Sequence, residues 1–132
     1  MRVYEWAVEK FRSGDFNGLQ TMTAPQSPEE TEDRLAPLRP AYLRRLALRQ
    51  ADVANAAAIA GTRAFTDDEL KEIHRTAHSM GSSAAIYGYT RLSEAARTAE
   101  RILEDPVSTA DARAACLEHL AREAEAVLAP KT

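Results

Sequence analysis

The sequence contains little glycine and proline and only one cysteine. Five glycines and six prolines occur among 132 residues, and long stretches contain neither, which favours helices because these two residues disfavour helix interiors most. The single cysteine, Cys116, has no partner for an internal disulfide, so we expect a reducing compartment. Its neighbours are apolar, and we interpret it as a buried structural thiol rather than a nucleophile.

The sequence also lacks an excess of basic charge and any long apolar run. A formal net charge of −3 argues against nucleic-acid binding, which needs a basic face. The most apolar stretch, residues 54–60, is far shorter than the roughly 20 residues needed to cross a bilayer. The opening MRVYEWAVEK has an acidic fifth residue and no apolar core, unlike a signal peptide. We therefore expect a cytoplasmic protein that binds neither nucleic acid nor membrane.

The helix signals divide the chain into an N-terminal extension and one helical domain. Residues 1–26 are expected to form a short amphipathic helix and a linker. The domain, residues 27–130, begins with Ser27 as N-cap and Pro28 at the first helical position, followed by glutamates. This leading helix is short because Pro37 and Pro40 follow it.

Four longer helices are predicted after the leading helix. The third helix of the domain shows the clearest pattern, because its apolar residues are spaced 3, 4, 3, 4 and 3 apart, as on the inner face of a bundle helix. Short connections favour antiparallel neighbours, so we predict an all-α fold, an antiparallel, up-down-up-down four-helix bundle. The predicted helices cover about residues 40–60, 67–87, 90–104 and 109–128, with Gly61 and Gly88 ending the first two and Thr66, Thr90, and Ser108 or Thr109 capping the last three.

The third helix also carries the candidate chemistry. His78 falls roughly 130° from the centre of the apolar stripe, so we expect its ring to face solvent or the flank of the bundle. The small residues Gly81, Ser82 and Ala85 follow on the same face and predict an open docking surface. Three cationic or titratable residues precede it and are suited to attract an anionic group: Lys71, His74 and Arg75. A neutral imidazole is a nucleophile near pH 7, so phosphoryl transfer suits this helix.

The run IHRTAHSMGSSAAIYG, residues 73–88, resembles the active-site helix of histidine-containing phosphotransfer (HPt) domains of two-component phosphorelays. Four residues fit the frame of that family, namely His78, Met80, Ala84 and Gly88, and three more resemble its next helix, namely Leu92, Ala96 and Glu100. The resemblance covers about residues 36–128 and is strongest over 70–104.

The resemblance implies a phosphocarrier rather than a kinase. His78 would accept a phosphoryl group from an aspartate of a response-regulator receiver domain and pass it to another receiver, with a hybrid histidine kinase as a further partner. The docking surface would be the third helix and its bundle neighbour, the second. The chain would need no cofactor of its own, since the receiver would hold Mg²⁺, and no nucleotide-binding loop appears in the sequence.

Two positions depart from the family pattern. Gly81 stands where the family commonly has lysine, and Ser82 where it has glycine. Lys71 or Arg75 would then have to stabilise the phosphoryl group, with the hydroxyl of Ser82 as a possible donor. These departures keep open the alternative of a catalytically silent HPt-like adaptor that binds a receiver or kinase without carrying phosphate. A second alternative, from a different class, is a helical scaffold or dimerisation module in which the histidine is incidental.

His74 and His78 also suggest a second hypothesis, a metal site. His74 and His78 are four residues apart, as in some zinc sites. No glutamate stands between them in the position that metalloproteases use, the flank is cationic, and the sequence shows no third ligand nearby. We therefore predict no metal. His119 is interpreted as a surface residue, and Tyr87 and Tyr89 as packing residues.

Overall fold

The computed structural model describes residues 28–130, which form five helices and the turns between them. The described residues contain no strand, so the predicted all-α class is confirmed. The short helix and linker predicted within residues 1–26, and the cap predicted at Ser27, lie outside the described residues. The helices are α1 (Pro28–Leu35), α2 (Arg39–Ala60), α3 (Asp67–Ile86), α4 (Thr90–Glu104) and α5 (Ala110–Leu128).

Helices α2 to α5 form the bundle. Helix α2 packs against α3 and α5, and α4 packs against the same two helices, so the four close around one core. Short turns join them in sequence, which makes neighbours antiparallel. The core is rich in alanine, which allows the helices to approach closely; its largest fully buried side chains are Tyr42, Leu46, Val53, Met80, Leu92, Leu117 and Leu120.

The start of α3 has the predicted capping box. The side chain of Thr66 accepts from the Glu69 amide at 3.2 Å, and the Glu69 carboxylate accepts from the Thr66 amide at 2.9 Å. These bonds satisfy backbone donors that the first turn of a helix leaves without partners. Arg63 also contacts Glu69 at 2.7 Å, and its hydrogen bond holds the pKa of Glu69 at about 2. The start of α3 is therefore fixed in place.

The turn between α3 and α4 differs from the prediction. Gly88 has φ +80°, the left-handed conformation that glycine adopts most readily, and it follows the end of α3 as expected. Thr90 is not the N-cap of α4. Tyr89 occupies that position without a side-chain cap, and its ring stacks 5.9 Å from that of Tyr42. Ring stacking thus replaces capping at this helix start.

Three tyrosines fill one end of the bundle. The ring of Tyr42 stacks at 4.2 Å on that of Tyr87, while Arg39 lies over Tyr87 and Tyr89 and donates to the Tyr89 hydroxyl at 2.7 Å. Tyr87 and Tyr89 therefore pack as predicted. Burial raises the pKa of Tyr42 to about 12, with the nearby Tyr89 adding to the effect. Tyr42 is the fully buried residue in this turn of α2, and the neighbouring Leu43 is only partly buried.

Two further predictions concern the thiol of Cys116 and the absence of a membrane-spanning helix. Cys116 is buried, and burial raises the pKa of its thiol to about 11, in keeping with a structural residue. Within residues 28–130, none of the helices combines the length and apolarity that a membrane span requires.

Candidate functional site

His78 lies on the side of α3 that faces α4. Only 19% of its side chain is exposed, so the first of the two expected positions, a ring that faces solvent, is corrected. The physical reason is the close contact of the two helices, which brings the side chain of Glu100 from α4 against the ring. His78 therefore lies on the flank of the bundle, the second of the two positions that helical periodicity allowed.

The two nitrogens of the His78 ring have different surroundings. Nδ1 lies 2.6 Å from Oε1 of Glu100, whose side chain is 12% exposed. Nε2 is covered and has no hydrogen-bond partner within the described part of the chain. A carboxylate accepts hydrogen bonds, so this contact favours the tautomer with the proton on Nδ1. That tautomer leaves the lone pair of Nε2 free to act as a nucleophile.

His74 joins the same cluster one helical turn earlier. Its Nε2 lies 2.8 Å from Oε1 of Glu104 and 3.8 Å from Oε1 of Glu100. Glu100 therefore stands between two imidazoles, and each imidazole has a carboxylate within hydrogen-bond distance. The sequence interpretation placed His74 beside His78 but did not foresee either carboxylate.

The register of two antiparallel helices explains this cluster. His74 and His78 are four residues apart on α3, and Glu100 and Glu104 are four residues apart on α4. Because α4 runs opposite to α3, His78 meets Glu100 and His74 meets Glu104. The matching i, i+4 pairs were the signal in the sequence that could have located both glutamates.

The predicted cations border a groove next to His78. This groove is a cavity of about 430 Å³ between α3 and α4. Its lining residues are Leu70, Lys71, His74, Arg75, His78, Leu103 and Glu104. Lys71 and Arg75 are exposed, and Arg75 lies 3.6 Å from Glu72 on the same helix. Their charges therefore face the solvent side of the groove, where an anionic group would arrive.

Gly81 does not belong to an open docking surface. It is buried against α4, where a Cβ atom would lie 3.4 Å from Cβ of Ala96 and 3.6 Å from Cγ of Arg97. Ser93 also donates its hydroxyl to the Gly81 carbonyl at 3.0 Å. The glycine thus lets α3 and α4 approach, and the lysine that the family commonly has here would extend into their contact.

The other two small residues are partly exposed. Ser82 donates its hydroxyl to the His78 carbonyl at 3.2 Å, a bond within the helix, so this hydroxyl does not point to a separate ligand. Ala85 is partly buried, and Ile86 next to it is 43% exposed. Ser82 and Ala85 stay candidates for the docking surface, and His119 is exposed on α5 as expected.

A family model described as Hpt domain matches residues 29–130. No curated protein and no solved structure gives a significant match to the chain.

Proposed function

Since this chain belongs to the Hpt domain family, we propose that it is a phosphorelay intermediate that receives a phosphoryl group on Nε2 of His78 from one receiver domain and transfers it to another. Hpt domains take part in phosphotransfer in two-component systems, together with response-regulator receivers and histidine kinases. For this chain we propose Nε2 of His78 as the receiving atom and two receiver domains as the donor and the acceptor.

The contact between His78 Nδ1 and Glu100 is the observation that carries this proposal. At 2.6 Å it is a short hydrogen bond between a carboxylate and a ring nitrogen. It orients the ring, holds the proton on Nδ1 and leaves Nε2 as the atom with a free lone pair. This is the arrangement in which a second group activates a histidine nucleophile.

The chemical step is a displacement at phosphorus. The Nε2 lone pair forms a bond to phosphorus while the bond between phosphorus and the aspartate oxygen breaks, and the aspartate leaves as a carboxylate. The phosphorylated ring keeps its proton on Nδ1 and gains positive charge, which the carboxylate of Glu100 stabilises. The reverse step returns the lone pair to Nε2 and passes the phosphoryl group to the next aspartate.

Charges on both partners would assist the transfer. Lys71 and Arg75 are exposed beside the groove and are suited to attract the phosphoryl oxygens. We expect Mg²⁺ to be held by the receiver, and we expect phosphoryl transfer to depend on positioning and charge stabilisation. Because Nε2 is covered, docking of the receiver must also move the ring or the side chains around it.

The test is transfer of radioactive phosphate from a phosphorylated receiver. We expect acid-labile, alkali-stable label on the wild-type chain and no label on His78→Ala. The matched control is His119→Ala, which removes an exposed histidine of α5 and should leave labelling unchanged. Label that persists in His78→Ala would overturn the assignment of the receiving residue.

The silent adaptor is the second candidate function. The covered Nε2 and the replacement of the family lysine by Gly81 favour it. The same experiment separates the two functions when receiver binding is measured alongside labelling. Across a panel of receivers, binding without label indicates the adaptor, whereas neither binding nor label indicates a scaffold.

A further inference from the structure

Three side chains on α3 and α4 converge in the way that metal ligands do. Nε2 of His74 lies 2.8 Å from Oε1 of Glu104 and 3.8 Å from Oε1 of Glu100. The ligand atoms that the three residues offer all lie within 4.8 Å of one another. Ligands around a tetrahedral zinc ion at their usual bond lengths are about 3.3 Å apart, so small side-chain rotations suffice to place an ion between them.

We propose that His74, Glu100 and Glu104 form a binding site for Zn²⁺. One imidazole and two carboxylates suit this ion, whereas Mg²⁺ and Ca²⁺ prefer oxygen ligands alone. Three protein ligands leave the fourth position of the ion to water, as in zinc sites that are open to solvent. A ligand imidazole is neutral and offers a lone pair, so His74 would bind the ion through Nε2 in the tautomer that carries its proton on Nδ1.

The surroundings give the ion a route to the three ligands. His74 and Glu104 line the cavity of about 430 Å³ beside α3, and the Glu104 side chain is 50% exposed while that of Glu100 is 12% exposed. The site therefore has one largely buried ligand, Glu100, and one ligand that solvent reaches, Glu104. The positive charges of Lys71 and Arg75 lie on exposed side chains that can turn into solvent.

Zinc at this site would act on His78 through Glu100. Oε1 of Glu100 is 2.6 Å from Nδ1 of His78, so an ion that draws this carboxylate toward His74 weakens the hydrogen bond that fixes the His78 tautomer. This consequence rests on the proposed function, because it predicts slower phosphoryl acceptance in the presence of zinc. The binding of zinc itself does not depend on that function.

The first test measures binding without phosphotransfer. Isothermal titration of the full chain with Zn²⁺ should show one site, and His74→Gln and Glu104→Gln should each weaken it about tenfold or more. The matched controls, His119→Gln and Glu118→Gln, alter exposed residues of α5 and should bind zinc as the wild type does. Circular dichroism checks that every variant keeps its helix content.

The second test identifies the atoms. Nitrogen-15 NMR of the imidazoles should show a zinc-dependent shift of His74 Nε2 and a smaller change at His78 Nδ1, and Mg²⁺ at the same concentration should produce neither. No zinc binding, binding as tight in His74→Gln as in the wild type, or binding that is lost in His119→Gln would each overturn the site. All of these results can occur whether or not His78 accepts a phosphoryl group, so the two proposals fail independently.

Discussion

The carboxylate of Glu100 lies between the rings of His78 and His74, at 2.6 and 3.8 Å from their nearest nitrogens. Its side chain is 12% exposed, so its interaction with His78 is less screened by water than a surface contact would be. A partly buried carboxylate needs hydrogen-bond partners to offset its desolvation. The ring of His78 supplies one such partner, and in return the carboxylate sets the tautomer of the ring.

Replacing this carboxylate by an amide tests its role at the scale of one residue. In Glu100→Gln the amide oxygen can still accept from Nδ1, but the negative charge that stabilises the phosphorylated ring is gone. Because hydrogen bonds to charged groups are about twice as strong as neutral ones, we expect phosphoryl transfer to slow by about tenfold, equivalent to about 1.4 kcal/mol. Rapid-quench measurement of labelling checks this.

The control for this variant is Glu118→Gln, which removes an exposed carboxylate of α5 and should transfer phosphate at the wild-type rate. Nitrogen-15 NMR should also show a changed balance of His78 tautomers in Glu100→Gln alone. An unchanged rate together with an unchanged tautomer balance would contradict the role of Glu100.

The pair of helices α3 and α4 determines the geometry of the site. Gly81 lies at their contact, where a Cβ atom would have room beside Ala96 and Arg97 of α4 but a large side chain would not. A second glycine, Gly88, follows the end of the same helix with φ +80° and open space where a Cβ atom would lie. The two glycines thus suit their positions for different physical reasons. At position 81 a small residue fits between the two helices, and at position 88 glycine allows the left-handed backbone conformation.

This difference predicts opposite effects of alanine at the two positions. In Gly81→Ala the new methyl group makes ordinary contacts, of which the shortest is 3.4 Å. The helix also no longer contains an interior glycine, which destabilises helices relative to alanine. The free energy of unfolding should rise by about 0.5–1 kcal/mol. Gly88→Ala should lower it by about 1–2 kcal/mol, because alanine is strained in the left-handed region.

Urea unfolding followed by circular dichroism measures both changes. A destabilised Gly81→Ala with a normal Gly88→Ala would contradict the assignment of the two glycines. A larger side chain, as in Gly81→Leu, should separate α3 from α4 and lower the free energy of unfolding.

The beginning of α3 predicts a dependence of stability on pH. The hydrogen bond from Arg63, with a contribution from the Thr66 amide, lowers the pKa of Glu69 from 4.5 to about 2. A carboxyl group whose pKa is lower in the folded state contributes stability above its unfolded pKa and loses it on acidification. This contribution should therefore disappear as the pH falls from about 4.5 to about 2.

Melting temperatures of the wild type and Glu69→Gln between pH 7 and pH 2 test this. Glutamine still completes a capping box, so the variant removes mainly the charge. The wild type should melt at a higher temperature at pH 7, and the gap should shrink through the stated window. A gap of constant size at every pH would show that the charge of Glu69 is not its cause.

At the scale of the whole molecule, the sequence was sufficient for the bundle. The apolar spacing of α3 and the capping box at Thr66 set the inner face and the start of that helix, and both are local patterns. The position of His78 on the flank also followed from helical periodicity. Its burial did not, because burial depends on the side chains that the neighbouring helix brings to it.

The contacts between helices were the part that periodicity alone did not supply. The sequence interpretation placed Gly81 on an open surface, yet α4 covers it. It also described His74 and His78 without a third ligand, although Glu100 and Glu104 meet them from α4. Both contacts depend on the relative register of α3 and α4, which the periodicity of one helix does not determine.

In the proposed mechanism, Glu100 holds the proton on Nδ1 of His78 so that Nε2 receives the phosphoryl group. Nitrogen-15 and phosphorus-31 NMR of the chain, before and after phosphorylation by a receiver, test this most directly. We expect a protonated Nδ1 in both states and phosphorus bonded to Nε2 of His78. Phosphorus bonded to Nδ1 or to His74, or a ring protonated at Nε2 before the reaction, would contradict it.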